Sequence, residues 1–223
     1  MVSDESETSR DGSASGTVQP KRSAARKPRK KRPLDETALR DLALAYVARF
    51  STTAAKLEGY LTRKIRERGV AEDEDGRVLE IDVVGIVTRF IELGYIDDDA
   101  YARSRSRDLT ARGFGSRRVE QALWAAGVEE QTRADNKPSE AASRRAAMLL
   151  ARKRRFGPYS HDTGQTEEDP SVLHKRREKQ IAAMLRAGHL YQHVQFILEA
   201  SDQEAIEEWV IEAEDDESER DAW

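Results

Sequence analysis

The sequence contains no cysteine, and only 6% of its 223 residues are aromatic. Without thiols the chain can form no disulfide bond, no thiolate metal site and no cysteine nucleophile. Charged residues make up 36% of the chain, so few large apolar side chains remain to fill an interior. We therefore expect a hydrophobic core that is small for the length of the chain.

Long apolar runs are also missing. No segment approaches the roughly 18 consecutive apolar residues that a transmembrane helix needs. The N-terminus is polar before it is basic, which is not the order of a secretory signal. We expect a soluble, cytoplasmic monomer without a membrane partner.

Residues that could carry catalysis are not arranged in any recognisable motif. There is no glycine-rich phosphate loop after a strand, no Ser/His/Asp order and no carboxylate pair in an apolar setting. His189 and His193 have the i, i+4 spacing of metal ligands on a helix, but no third ligand is evident, and a surface histidine pair is the better interpretation. Asp97–Asp99 are explained as a helix cap without Mg²⁺. We expect no enzyme, no metal and no cofactor.

Charge is distributed unevenly along the chain. Residues 1–33 carry nine basic and four acidic side chains, whereas residues 202–223 carry one basic and eleven acidic side chains. Both ends are predicted to be disordered because they offer little apolar surface to bury. Ile206, Trp209 and Val210 could form one or two amphipathic turns before the acidic tail. Lys21 to Arg32 holds eight basic residues and no acid. This arm is either a solubilising tail or a non-specific DNA contact that acts through counterion release.

One short stretch joins two predicted helices with almost no loop. Gly94 can end the first helix in a left-handed conformation, and Asp97 can cap the second. Ile96 and Tyr101 then have the spacing of a hydrophobic staple. The residues predicted to form this joint are Gly94, Tyr95, Ile96, Asp97 and Tyr101.

An internal repeat accompanies this helical pattern. Three segments share the form apolar-x-x-x-Gly and end at Gly69, Gly127 and Gly188, which are 58 and 61 residues apart. No alternating strand pattern is present. We predict an all-α fold of three tandem three-helix repeats in an elongated, solenoid-like array with disordered charged tails. The predicted divisions are an arm over 1–33, repeats over 34–96, 97–139 and 140–201 with an inserted loop at 157–171, and an acidic tail over 202–223.

The sequence Gly-Tyr-Ile-Asp-Asp-Asp-Ala-Tyr-Ala, from Gly94 to Ala102, resembles the signature of the RecX family, regulators of the RecA recombinase. The likeness extends to Ala45-Tyr46 with Arg49-Phe50-Ser51, and to Gly115–Val128. It covers about Ala38 to Ala200. The family is similarly built from three three-helix repeats. The loop at 157–171 and the poor helix at 129–139 depart from the family pattern, and both tails lie outside it.

The resemblance implies a non-enzymatic protein that lies in the groove of the RecA–DNA filament and inhibits recombinase and coprotease activities. This would modulate DNA recombination, repair and the SOS response. An alternative is a helix-turn-helix transcriptional regulator that uses the helix pair at 99–127, although few Asn or Gln residues are available there to read bases. A structural repeat scaffold is a third possibility.

Arginine is the most informative residue type. Arg103 and Arg107 share a helix face, and Arg117 and Arg118 lie in the first turn of a predicted helix, where the dipole disfavours cations. A local rule broken in this way suggests a functional demand. The predicted partner-binding residues are Arg103, Arg107, Arg117, Arg118, Arg152, Arg154, Arg155, Lys175, Arg176 and Arg177.

Overall fold

The computed structural model describes residues 32–160 and 169–221. The α-helices in these ranges are α1 Glu36–Val47, α2 Ala54–Arg68, α3 Val83–Glu92, α4 Asp98–Ala111, α5 Ser116–Trp124, α6 Glu130–Asp135, α7 Glu140–Arg154, α8 Pro170–Arg186, α9 Tyr191–Glu199 and α10 Gln203–Asp221. A short 3₁₀ turn spans Gly157–Tyr159. These ranges contain no β-strand, only two isolated bridges, and the all-α prediction is confirmed. None of these helices is long and apolar enough to cross a membrane.

The helices begin and end where short polar residues and glycines predict. The side chains of Asp35, Thr53 and Asp97 accept hydrogen bonds from the first turns of α1, α2 and α4. Gly94 and Gly188 lie just beyond helix ends with φ of 73° and 92°. Helix α5 begins at Ser116, and its N-cap is Gly115, which has no side chain to accept a hydrogen bond.

The predicted joint forms between α3 and α4, although its apolar residues face different cores. Asp97 Oδ1 accepts a 2.8 Å hydrogen bond from Ala100 N. Ile96 is buried in a cluster formed by α1, α2 and α3, whereas Tyr101 packs against a second cluster formed by α4 and α5. Tyr95 is exposed, with its ring 5.5 Å from that of Phe90. The joint therefore connects two cores.

Three hydrophobic clusters follow one another along the chain. The first includes Leu57, Leu61 and Phe90, and the second includes Leu109, Val119 and Leu123. The third draws on α7, α8, α9 and α10 and includes Ala147, Met184, Val194, Ile197 and Ile206. The first two clusters lie within the predicted repeats 34–96 and 97–139, whereas the third extends beyond the predicted repeat 140–201 to Ile206. The repeat boundaries and the solenoid-like shape stay predictions.

The apolar stripe predicted for α3 is rotated from the observed one. Spacing predicts an inward stripe of Ile81, Val84, Val87 and Ile91, but Val84 and Ile91 are exposed. Ile86 and Phe90 are buried beside Val87. Apolar residues occur on most sides of this helix, so helical spacing does not select one buried face.

Between the second and third clusters, the start of α5 meets the end of α8. Gly115 N donates to Ala187 O at 2.9 Å, and Arg117 N donates to Gly188 O at 3.1 Å. A Cβ added at Gly188 would lie 2.4 Å from Arg118 N. The backbone groups that helix ends leave unpaired thus satisfy one another across this junction.

The end of α5 meets the start of α2 in the same way. Thr53 Oγ1 donates to Ala126 O at 2.5 Å. A Cβ added at Gly127 would lie 2.3 Å from the Cβ of Ala55. Asp98, in the first turn of α4, accepts from Ala54 N at 3.0 Å. Gly127 and Gly188, two of the three glycines in the sequence repeat, therefore lie where the end of one helix meets the start of another. The end of α5 meets α2, and the end of α8 meets α5.

The disordered acidic tail predicted for 202–223 is wrong over most of its length, because α10 occupies 203–221. Ile206, Val210 and Ala213 are buried at helical spacing, which gives the helix an apolar face that packs against α7. Acidic residues of α10 pair with α7 cations: Glu212 with Arg144 and Glu214 with Arg145.

Only parts of the other two segments predicted to be mobile, the basic arm and the loop at 157–171, lie within the described residues. Most of the basic arm, residues 1–31, lies outside the described residues. Within the predicted loop at 157–171, the structure contains the 3₁₀ turn and the start of α8 at Pro170, and residues 161–168 lie outside the described ranges.

The junction of α5 with α8 predicts a large cost for Gly188→Ala. The methyl group would meet Arg118 N, and alanine would also be strained at φ 92°. We expect the free energy of unfolding, measured by urea denaturation, to fall by at least ~2 kcal/mol. Gly76→Ala is the matched control, because φ is 77° there and nothing lies within 4 Å of the added Cβ. Equal losses would show that the close approach at Gly188 contributes nothing.

The docking of α10 predicts that Ile206→Ala is destabilising by about 2–4 kcal/mol, since Ile206 is fully buried. Ile211 is 53% exposed on the same helix, and Ile211→Ala should change stability by no more than about 0.5 kcal/mol. Thermal denaturation of both variants measures the difference. Similar small effects would mean that α10 is a tail that does not dock.

Candidate partner-binding surface

The predicted arginines of α4 lie beside a shallow hollow. Arg103 and Arg107 line about 250 Å³ of space together with Asn136 and Lys137. Arg103 is paired with Asp99 on its own helix. Arg107 is exposed and has no salt bridge among the described residues. Arg107 is therefore the freer of these two cations.

Arg117 and Arg118 lie in the first turn of α5, as predicted, but the dipole argument for their function does not hold. The carbonyl end of α8, which is the negative pole of that helix, contacts this turn directly through Gly188 O. The unfavourable effect of the α5 dipole on Arg117 and Arg118 is therefore offset by the carbonyl end of α8. Arg118 Nη1 also donates to Gln121 Oε1 at 2.6 Å.

Arg117 belongs to a different hollow from the α4 arginines. It lines about 510 Å³ of space with Glu120, Glu130, Arg133 and Lys137. Charges of both signs surround it, so its hollow is less cationic than the sequence alone suggests.

The ends of α4, α7 and α8 converge on a third depression, which we term the basic groove. It encloses about 930 Å³. Its apolar floor is formed by Phe114, Leu149, Leu150, Phe156, Ala183 and Ala187. Its rim is formed by Arg112, Arg152, Lys153, Arg154 and Arg186. No acidic residue is among the described residues that line it.

The sequence predicts only two of the five rim cations, Arg152 and Arg154. Arg155, which follows α7 with φ 58°, does not line the groove. Arg112 and Arg186 were missed because they are far from Arg152 along the chain. Gly113 and Gly188, which follow the ends of α4 and α8, are the signal in the sequence from which Arg112 and Arg186 could have been identified.

The three predicted cations of α8 lie in different surroundings. Lys175 is exposed, Arg176 is half-buried, and Arg177 pairs with Glu199 at 2.7 Å. The predicted set of ten cations therefore does not form one continuous site. It is distributed over separate surfaces of α4, α5, α7 and α8.

The prediction of a surface histidine pair on one helix is wrong. His189 precedes α9, and both His189 and His193 are buried, with 1% and 2% exposure. His189 Nε2 donates to Gly113 O at 3.1 Å, and His193 Nε2 lies 3.0 Å from Glu140 Oε1. Each histidine fixes a contact between helices that are distant in sequence.

Burial disfavours the charged form of the His189 imidazole and lowers its pKa to about 4, against the opposing effect of the Gly113 carbonyl. Burial alone would raise the pKa of Glu140, but hydrogen bonds from Arg144 and His193 outweigh it and lower that pKa. These groups support the junctions around α7 and α9.

Metal-ligand geometry is not found in residues 32–160 and 169–221, where no three His, Asp or Glu side chains group closely enough to hold an ion. The aspartates of the joint have protein partners. Asp97 caps α4, Asp98 accepts from Ala54, and Asp99 accepts from Arg103 and Asn136.

No family profile matches this sequence. The fold nevertheless matches known all-α proteins. A crystal structure of RecX from Lactobacillus salivarius is similar with a TM-score of 0.53 at 21% identity, covering 73% of this chain and 93% of that chain. A second crystal structure of regulatory protein RecX gives a TM-score of 0.51 at 20% identity, covering 74% and 72%.

The arrangement of helices is thus that of the RecX structures. Sequence similarity is stronger for the regulatory protein RecX of Myxococcus xanthus strain DK1622, which is 30% identical over 173 residues, 76% of this chain and 88% of that protein. The chain belongs to the RecX family of regulatory proteins.

The buried His189 predicts a specific pH dependence of stability. Its folded pKa of about 4 lies below the ordinary 6.5, so its neutral form stabilises the fold above pH 6.5. That contribution, about 3 kcal/mol, is lost as the pH falls from 6.5 toward 4. Urea denaturation across this range should show a shallower pH dependence for His189→Gln. His174→Gln, at an exposed position, should keep the original dependence, and an unchanged slope in His189→Gln would contradict this assignment.

Proposed function

We propose that this protein binds RecA or the RecA–DNA filament and inhibits its recombinase and coprotease activities as a non-catalytic, monomeric regulator in the cytoplasm. Membership in the RecX family carries this proposal, together with the resemblance of Gly94–Ala102 to the family signature. The regulated processes would be DNA recombination, repair and the SOS response.

The distribution of exposed cations supports a large anionic partner. Arg107, Arg152 and Lys175 lie on three different helices, are exposed and have no salt bridge within the described ranges. Several weak contacts spread over a surface can add to high affinity when the partner is itself extended and repetitive. A nucleoprotein filament has this character, because phosphate contacts position a protein while a second surface supplies specificity.

The helix-turn-helix alternative is disfavoured by the surroundings of α5. A recognition helix inserts its N-terminal residues into the major groove of DNA. Here Gly115 N and Arg117 N are hydrogen-bonded to Ala187 O and Gly188 O. The end of α8 therefore lies against the start of α5, which is the part of a recognition helix that would have to enter the groove.

Direct DNA contact by the N-terminal arm remains part of the proposal. Lys21 to Arg32 contains eight basic residues without an acid, and such arms bind phosphates by counterion release. The contact would be non-specific and would weaken as salt is raised.

The function is tested by RecA-catalysed ATP hydrolysis on single-stranded DNA with this protein titrated in. We expect inhibition at or below stoichiometric protein. Arg103→Gln/Arg107→Gln should raise the concentration for half-inhibition about tenfold, because it removes two exposed charges from one face of α4.

The matched control is Arg40→Gln/Arg89→Gln. It removes the same charge from α1 and α3, where both arginines pair with acids of their own helices. This variant should inhibit like the unmodified protein. No inhibition by the unmodified protein at stoichiometric concentration would contradict the proposed function, whereas equal loss in both variants would contradict only the role of the α4 face.

A further inference from the structure

The basic groove combines two properties that the proposed function does not explain. Its floor is apolar, with two phenylalanines and two leucines that remain half-buried. Its rim carries five cations and no acid among the described residues. A surface evolved only to contact phosphates would need the cations but not an uncovered apolar floor.

We propose that the basic groove docks an acidic amphipathic helical segment of a partner protein. The apolar face of such a helix would lie on Leu149, Leu150 and Phe114, and its acidic flanks would meet Arg152, Arg154 and Arg186. This is helix-in-groove recognition, in which apolar anchors give affinity and charge complementarity selects the partner.

The position of the groove in the fold favours a preformed site. Gly113 follows α4 at φ 83°, and a Cβ there would lie 3.2 Å from Leu150 N. Phe114 packs against the second hydrophobic cluster, and Leu150 and Phe156 pack against the third. The floor is therefore held by two separate cores and needs no rearrangement to receive an apolar helix face.

The charge of the rim is only partly explained by local structure. Cations in the last turns of α7 and α8 stabilise the negative ends of those helices. This effect falls off within one turn and is satisfied by one or two charges. Arg112 is paired with Asp108 at 2.9 Å, whereas Arg152, Lys153, Arg154 and Arg186 have no salt bridge among the described residues.

Nucleic acid is the less suitable occupant of this groove. Single strands bind proteins by stacking bases on aromatic side chains that stand free at the surface. Phe114 and Phe156 are half-buried and packed against the clusters beneath them. The remaining floor is aliphatic and offers no hydrogen bonds to bases.

The experiment uses fluorescence anisotropy with a labelled synthetic helix of about 16 residues, with leucines at helical spacing and glutamates elsewhere. A second peptide has lysine in place of every glutamate. The full-length protein should bind the acidic peptide below about 1 mM and should not bind the basic one.

Arg152→Gln/Arg154→Gln should weaken binding of the acidic peptide about tenfold, and Leu149→Gln should weaken it by a similar factor. Lys175→Gln/Lys179→Gln removes the same charge from α8 outside the groove and should leave binding unchanged. Circular dichroism of each variant shows whether the helices are intact.

Three results would overturn the inference. These are no binding of the acidic peptide by the unmodified protein, equal weakening by the groove and control variants, or displacement of the peptide by a single-stranded oligonucleotide whose own binding depends on Arg152, Arg154 and Leu149. The last result would make the groove a nucleic-acid site. RecA plays no part in this assay, so its outcome is independent of the proposed function.

Discussion

The meeting of helix ends is the interaction on which the rest of this structure depends. An α-helix leaves about four N–H groups and about four carbonyls unpaired at its two ends. Here the carbonyls that end α8 accept from the N–H groups that start α5, and the carbonyl of Ala126 beyond α5 accepts from Thr53 at the start of α2. Helices α8, α5 and α2 are thus joined end to end.

These junctions explain residues that otherwise have no common purpose. Gly115 and Gly188 are required because their backbones approach too closely for a side chain. His189 donates to the carbonyl of Gly113 beside the same contact. Arg117 and Arg118 are tolerated at the start of α5 because the negative end of α8 lies against them. With these contacts in place, α4, α7 and α8 end around one groove.

Local signals in the sequence predict much of the fold. The helix ends at Asp35, Thr53, Gly94 and Asp97 depend on residues within one turn, so they can be predicted from the sequence alone. The glycine repeat was also visible in the sequence, but the contact between helix ends that explains two of its three glycines, Gly127 and Gly188, became visible only in the structure. The α3 stripe was misplaced because apolar residues occur on too many of its faces for spacing to select one.

The remaining features could not be predicted because they depend on contacts between residues that are distant in the sequence. The acidic composition of 202–223 outweighed the short apolar stripe at Ile206 and Val210 in the sequence prediction, yet that stripe has a matching face on α7. His193 was assigned to the surface because its partner, Glu140, is 53 residues away. Likewise the candidate cations were grouped by closeness in sequence, whereas the groove gathers residues from Arg112 to Arg186.

The end-to-end junction is tested most directly by native-state hydrogen exchange at the amides of Gly115 and Arg117. Amides in the first turn of a helix normally exchange fast because they lack intrahelical partners. If they donate to Ala187 and Gly188, they should exchange as slowly as the amides in the middle of α5. Exchange as fast as that of Gln131, in the first turn of the short exposed α6, would contradict the junction and the account of the fold built on it.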